Sequence, residues 1–150
     1  MTCEPRQTAK PIAGWLVLPA LGLLLSPIQS VKQIWSSWQL LNSPQLNLAR
    51  ELVPNCSRAV ACELGMDALI LCLLLYVAVL FFQKKRAAPR AFIVLMLAHL
   101  GYTLLDEFVL GAMINLKPDV GAILKSLILC SIWISYFFVS RRVEETFIVE

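Results

Sequence analysis

Asp67, His99, Tyr102, Asp106 and Lys125 interrupt otherwise apolar stretches of the chain. Carboxylates, an imidazole, a phenol and an amine in hydrocarbon must face a bundle interior or one another, which makes each a site candidate. On a helical projection of about 100° per residue, His99, Tyr102, Thr103 and Asp106 share one face, and Lys125, Leu129, Ile132 and Tyr136 share another. Counted from the ends of their apolar runs, Asp67, Asp106 and Lys125 lie about four, seven and six residues in, roughly 5 to 10 Å below one membrane boundary. The expectation is a buried cluster at one level. Lys125 neutralises Asp106 or Asp67 there, with Glu63 and Glu107 nearer the water. The functional reading of that cluster is a proton or ion relay, or a polar pocket. The structural reading is an ion pair and hydrogen bonds that fix helix register, with end residues snorkelling to the headgroups.

Other chemistries find no support. Cys3, Cys56, Cys62, Cys72 and Cys130 form no C-x-x-C pair and have no histidine at ligand spacing, so no metal site is expected. There is no Ser–His–carboxylate set, phosphate-binding glycine loop or zinc-protease helix. The chain is read as non-enzymatic and without a cofactor. Nucleic-acid binding is excluded as well, because the basic residues edge the apolar runs instead of covering a polar surface interleaved with aromatics.

The elements that must position the cluster follow from composition. Of 150 residues, 59% are apolar and 15% charged, against about half and a quarter in soluble domains. A mean hydropathy of +0.73 points the same way. Four stretches reach the length of about 20 residues that a bilayer core requires. They are placed at about 12–33, 64–82, 91–113 and 120–139, as an all-α, integral membrane four-helix bundle in a single transmembrane domain. Trp15, Pro19, Gly22 and Ser26 fall on one face of the first span. Gly22-x-x-x-Ser26 predicts close approach of a neighbouring helix, and Pro19 a bend. Arg6 and Lys10 before this run resemble a signal peptide's start, but no convincing small-x-small cleavage site follows Leu25, so the span is kept in the mature chain.

Orientation comes from charge. The connection 83–90 carries Lys84, Lys85, Arg86 and Arg90, and the positive-inside rule puts it in the cytoplasm. Arg6, Lys10, Arg141 and Arg142 then also lie inside, with both termini cytoplasmic. Lys32, Arg50, Arg58 and Lys117 lie outside. The outer loop 34–63 begins with Trp35 and Trp38 at aromatic-belt positions, and Leu40, Leu41, Leu46 and Leu48 continue an interfacial segment that Pro44 and Pro54 interrupt. Cys56 and Cys62 would face an oxidising compartment, and make a candidate disulfide.

Several short patterns stand together: Gly14-Trp15-Leu16-x-Leu18, Glu63-Leu64, Phe81-Phe82 followed by basic residues and Pro89, Asp106 near the end of the third span, Ile132-Trp133-Ile134-Ser135-Tyr136, Ser140-Arg141-Arg142-Val143 and Thr146-Phe147. Across nearly the whole length the chain resembles the YdgK-like family of bacterial inner-membrane proteins of unknown function. That family usually has proline where this chain has Ser135. The resemblance implies four spans and an inner-membrane address, but no activity. Arg141 and Arg142 are placed to touch anionic headgroups, at about 1 kcal/mol each.

Three functions compete. The first is a non-enzymatic accessory or scaffold subunit, partnered by the lipid bilayer and by a second copy or another membrane protein. The second is a small transporter or channel protomer using His99, Asp106 and Lys125 as a polar path. The third is a membrane thiol oxidoreductase, which the wide Cys56-x5-Cys62 spacing argues against.

Overall fold

A computed structural model describes residues 14–44, 46, 51, 53, 55–140, 143, 146 and 147. Arg6, Lys10, Cys3, Leu48, Arg50, Pro54, Arg141 and Arg142 lie outside the described residues. Four helices are long and apolar enough to cross a membrane. Helix α1 is Val17–Leu41, entered through a 3-10 turn at Gly14–Leu16. Helix α2 is Cys56–Phe82, α3 runs over Ala88–Met113, and α4 is Val120–Val139. No strand occurs among the described residues. Closing each helix's hydrogen bonds within itself is what lets such segments sit in lipid.

The helix ends differ from the sequence expectation at the 34–63 loop. Helix α1 continues through Trp35 and Trp38 to Leu41, and α2 starts at Cys56, leaving a shorter connection. Neither polar stretch contains a proline or glycine able to stop it, and Pro44 comes only after α1 has ended. The two tight connections close the same way. Lys85 N–H donates to Leu80 O and Lys84 N–H to Phe81 O, while Leu116 N–H donates to Gly111 O and Asn115 N–H to Ala112 O. These are Schellman closures, with Lys84 (φ 54°) and Asn115 (φ 58°) in the left-handed region. Asparagine tolerates that conformation. Lysine pays about 1 kcal/mol for it.

Two local expectations are corrected. Pro19 does not bend α1: it lies in the first turn, where its missing N–H has no intrahelical acceptor to lose, and the interior proline is Pro27. Cys56 and Cys62 are free thiols, not a disulfide. Both sit on α2, where six residues of helical rise separate them by about 9 Å, beyond the reach of a disulfide.

Helix α1 packs on α2, α2 on α3, and α3 on α4, while α4 and α1 do not pack closely. The core is concentrated at the end of the bundle bearing the basic 83–90 connection. Leu16, Val77, Phe81 and Ala88 have no exposed surface there. Val143 and Phe147 fold beneath them, and Phe147 meets Phe81 edge-on with centroids 5.0 Å apart. Phe92 stacks on Phe137 at 4.5 Å between α3 and α4. Outward faces are apolar, with Leu69, Phe108, Ile132 and Val139 exposed as a lipid-facing surface requires.

The tail should therefore help hold the bundle together. Phe81→Ala is expected to cost about 3 kcal/mol. Phe147→Ala should cost less after Phe81→Ala than alone, by about 1 kcal/mol. A double-mutant cycle of unfolding in detergent micelles measures this; strict additivity would mean that the two rings do not support one another.

Candidate functional site

Away from the sealed end, the four helices part around a cleft of about 680 Å³. Its floor is apolar, formed by Leu18, Phe92, Leu129 and Trp133. Its upper walls are polar, and each packed pair of helices there carries one side-chain hydrogen bond or close polar contact. Gln33 Nε2 on α1 donates to Glu63 Oε1 on α2 at 3.4 Å. Tyr102 Oη on α3 donates to Asp67 Oδ1 on α2 at 3.0 Å. Thr103 and Ser126 bring their hydroxyls to 3.5 Å between α3 and α4. Side-chain hydrogen bonds of this kind join membrane helices because hydrocarbon offers no substitute partner.

All five expected residues, Asp67, His99, Tyr102, Asp106 and Lys125, line this one cleft. Their arrangement differs from the expectation in one respect. Lys125 forms no ion pair with Asp67 or Asp106: Asp67 takes its hydrogen bond from Tyr102, and the ammonium is left exposed in the cleft. The helical stripe placed these groups around a common space, but α2 and α4 do not pack closely, which separates Asp67 from Lys125; nothing in the structure explains why Asp106, on the packed α3, does not pair with Lys125. Tyr136 shares Lys125's face yet does not reach the cleft. Eleven residues of rise place it about 16 Å deeper, against the core and edge-on to Trp133 at 6.0 Å.

Asp67 is 8% exposed, and its Oδ2 is buried without a hydrogen-bond partner. Leaving a buried acceptor unsatisfied costs about 1 to 3 kcal/mol, more if it is charged. His99 lines the cleft, and its backbone carbonyl accepts from Thr103 Oγ1 at 3.0 Å. Among the described residues, no group of three His, Cys, Asp or Glu side chains is arranged to hold a metal ion.

The backbone of α3 widens where the acids stand. Asp106–Leu110 is a π-helical turn, closed by Gly111 N–H to Asp106 O. Such turns insert one extra residue and often mark functional positions. Here the turn lets adjacent acids serve different ends. Asp106 lines the cleft, whereas Glu107 Oε2 accepts the Asp119 backbone N–H at 2.7 Å. Asp119 in turn caps α4 by accepting from Gly121 N–H at 2.8 Å.

Sequence reasoning missed Gln33, Ser126 and the cleft-lining position of Glu63, and misread the Gly22 face. Gly22 does not pack closely on a neighbouring helix. It and Ser26 line the cleft, and a Cβ on Gly22 would meet nothing within 4 Å. The signal was present in the spacing: Gly22, Ser26, Gln29 and Gln33 form one small and polar stripe along α1. Ending the first span near residue 33 cut that stripe at its most informative position.

A family model described as a protein of unknown function, DUF2569, matches residues 9–148. The chain belongs to the DUF2569 family. No curated protein and no solved structure matches it. The DUF2569 chain thus has a family without an assigned activity, and its cleft must be read from its own residues.

Tyr102→Phe removes the only hydrogen bond found for the Asp67 carboxyl and is expected to lower stability by about 1 to 3 kcal/mol. Urea or thermal unfolding in micelles measures it. A change below about 0.3 kcal/mol would mean that the bond adds nothing in the folded protein.

Proposed function

We propose that this DUF2569 protein is a non-enzymatic, ligand-binding subunit of the bacterial inner membrane, and that the cleft is its working part. The observation that carries this reading is the convergence of Asp67, His99, Asp106 and Lys125 on one open space without mutual neutralisation. A merely structural cluster would have collapsed into ion pairs, since separate charges in a low dielectric are costly. A scaffold alone asks for no such space. Catalysis has little support either, because among the described residues no nucleophile hydrogen-bonded to a base faces the cleft.

Orientation follows from the basic connection. With Lys84, Lys85, Arg86 and Arg90 in the cytoplasm, both termini are inside and the acidic end of the cleft faces outward. The bacterial inner-membrane address rests on the YdgK-like resemblance. Transport is a second reading, favoured by the polar groups that line one open space while Val143 and Phe147 belong to the apolar core at the basic end. Association with a second copy or with another membrane protein would use the apolar outer faces.

Ser126→Cys, in a chain whose native cysteines are replaced by alanine, tests orientation and access together. A charged, membrane-impermeant thiol reagent should label it from outside in intact cells, and Gly22→Trp should suppress the labelling by filling the cleft. Labelling only in inverted vesicles would reverse the orientation. No labelling from either side would remove the open cleft, and labelling from both would favour the transporter.

A further inference from the structure

We infer that the cleft holds the headgroup of a membrane phospholipid bearing a primary amine, with Asp67 receiving the ammonium, Lys125 the phosphate, and an acyl chain lying along the apolar floor. This rests on the reading of the cleft as a ligand site and names what occupies it. The cleft is lined by α1 and by α4, and among the described residues these two helices neither pack closely nor share a side-chain hydrogen bond. Gly22 and Ser26 line the cleft on the α1 side, where small side chains leave room for lateral entry from the bilayer.

The gradient along the cleft matches that of a lipid. Gln33, Glu63, Asp106 and Lys125 line its upper part, and Leu18, Phe92 and Trp133 its floor. A phospholipid standing in the same leaflet runs the same way, head toward the water and chain toward the midplane. A soluble solute would have no use for the floor.

Charge decides the head. Asp67 Oδ2 is buried and without a donor, on α2. Lys125 stands on α4 across the cleft, exposed there and outside any ion pair. An anionic lipid would satisfy Lys125 but meet Glu63, Asp67 and Asp106. A simple organic cation would satisfy the carboxylates and repel Lys125. A divalent metal is disfavoured because the carboxylates are not gathered into a ligand set. A zwitterion carrying both phosphate and ammonium answers both walls at once. Its amine must be primary, since a quaternary ammonium has no N–H to give Oδ2, whereas an ethanolamine headgroup has three. Charge-assisted hydrogen bonds of this kind discriminate by about tenfold or more.

Native mass spectrometry of the full-length protein, with short-chain phosphatidylethanolamine, phosphatidylcholine and phosphatidylglycerol added in turn, tests the proposal. Phosphatidylethanolamine should bind at least about tenfold more tightly than the other two. Asp67→Asn should erase that preference over phosphatidylcholine, and Lys125→Met should weaken both zwitterionic lipids together. Lys125 is exposed, so its variant keeps the test valid should Asp67→Asn fail to fold. Equal binding of all three lipids, or a preference untouched by both variants, would overturn the proposal. Competition by soluble phosphoethanolamine as strong as that by the lipid would overturn it too, pointing to a water-borne zwitterion. If the lipid preference fails while Gly22→Trp still blocks labelling of Ser126→Cys, the cleft remains a ligand site and only its occupant is wrong.

Discussion

A buried polar atom inside a membrane has no water to fall back on, so each must find its partner on a neighbouring helix. That constraint organises the acidic half of this protein. Gln33 reaches Glu63, Tyr102 reaches Asp67, and Thr103 meets Ser126, one interaction for each packed pair in the row of four helices. The row has two outer members, α1 and α4, and no polar contact of this kind joins them. The cleft follows from that gap. Charges that would otherwise pair are held on separate walls, and Asp67 keeps one oxygen without a donor.

The opposite half obeys a different rule. Near the basic connection the helices converge, and large apolar side chains fill the space between them: Phe81 against Phe147, Phe92 against Phe137. Interiors packed this way resist deformation, because any shift opens a void with no atoms to fill it. Rigidity at one end permits openness at the other. The four helices are clamped below, so α1 and α4 can stand apart above without the bundle splaying. The π-helical turn at Asp106–Leu110 gives α3 an extra residue at the level of the cleft's acidic groups.

Much of this was legible in the sequence, for reasons that also explain the rest. Helix number and type follow from the length and hydropathy of four runs, which local sequence determines. The stripe of His99, Tyr102, Thr103 and Asp106 follows from helical periodicity, which needs no tertiary knowledge. Pairing does not follow from either. Periodicity says which way Lys125 faces but not how far away the facing wall lies, so an ion pair was expected where there is a gap. Gly22-x-x-x-Ser26 carries the same ambiguity, because a small face admits a helix or leaves a space, and the partner's position decides which. Cys56 and Cys62 failed for a local reason: residues expected in a loop belong to α2, whose rise separates them. The π-helical turn left no trace in composition or periodicity.

The division of the molecule along its axis has a consequence for which substitutions matter. Stability is concentrated where Leu16, Val77, Phe81 and Ala88 are fully enclosed, and this region contains none of the ionisable groups of the cleft. The groups that line the cleft contribute less packing, and one of them, Asp67, carries a desolvated oxygen beside the one that accepts from Tyr102. Replacing both partners of a buried polar pair by apolar groups of similar shape is often neutral or stabilising. Retaining the Asp67–Tyr102 pair with one carboxylate oxygen unsatisfied therefore argues against a purely architectural role, since a leucine and phenylalanine pair would serve architecture alone without that cost. Strain of this kind persists in folded proteins mainly where a site needs it. A ligand able to donate to Oδ2 would turn that local cost into binding energy, coupling occupancy of the cleft to the stability of the bundle around it.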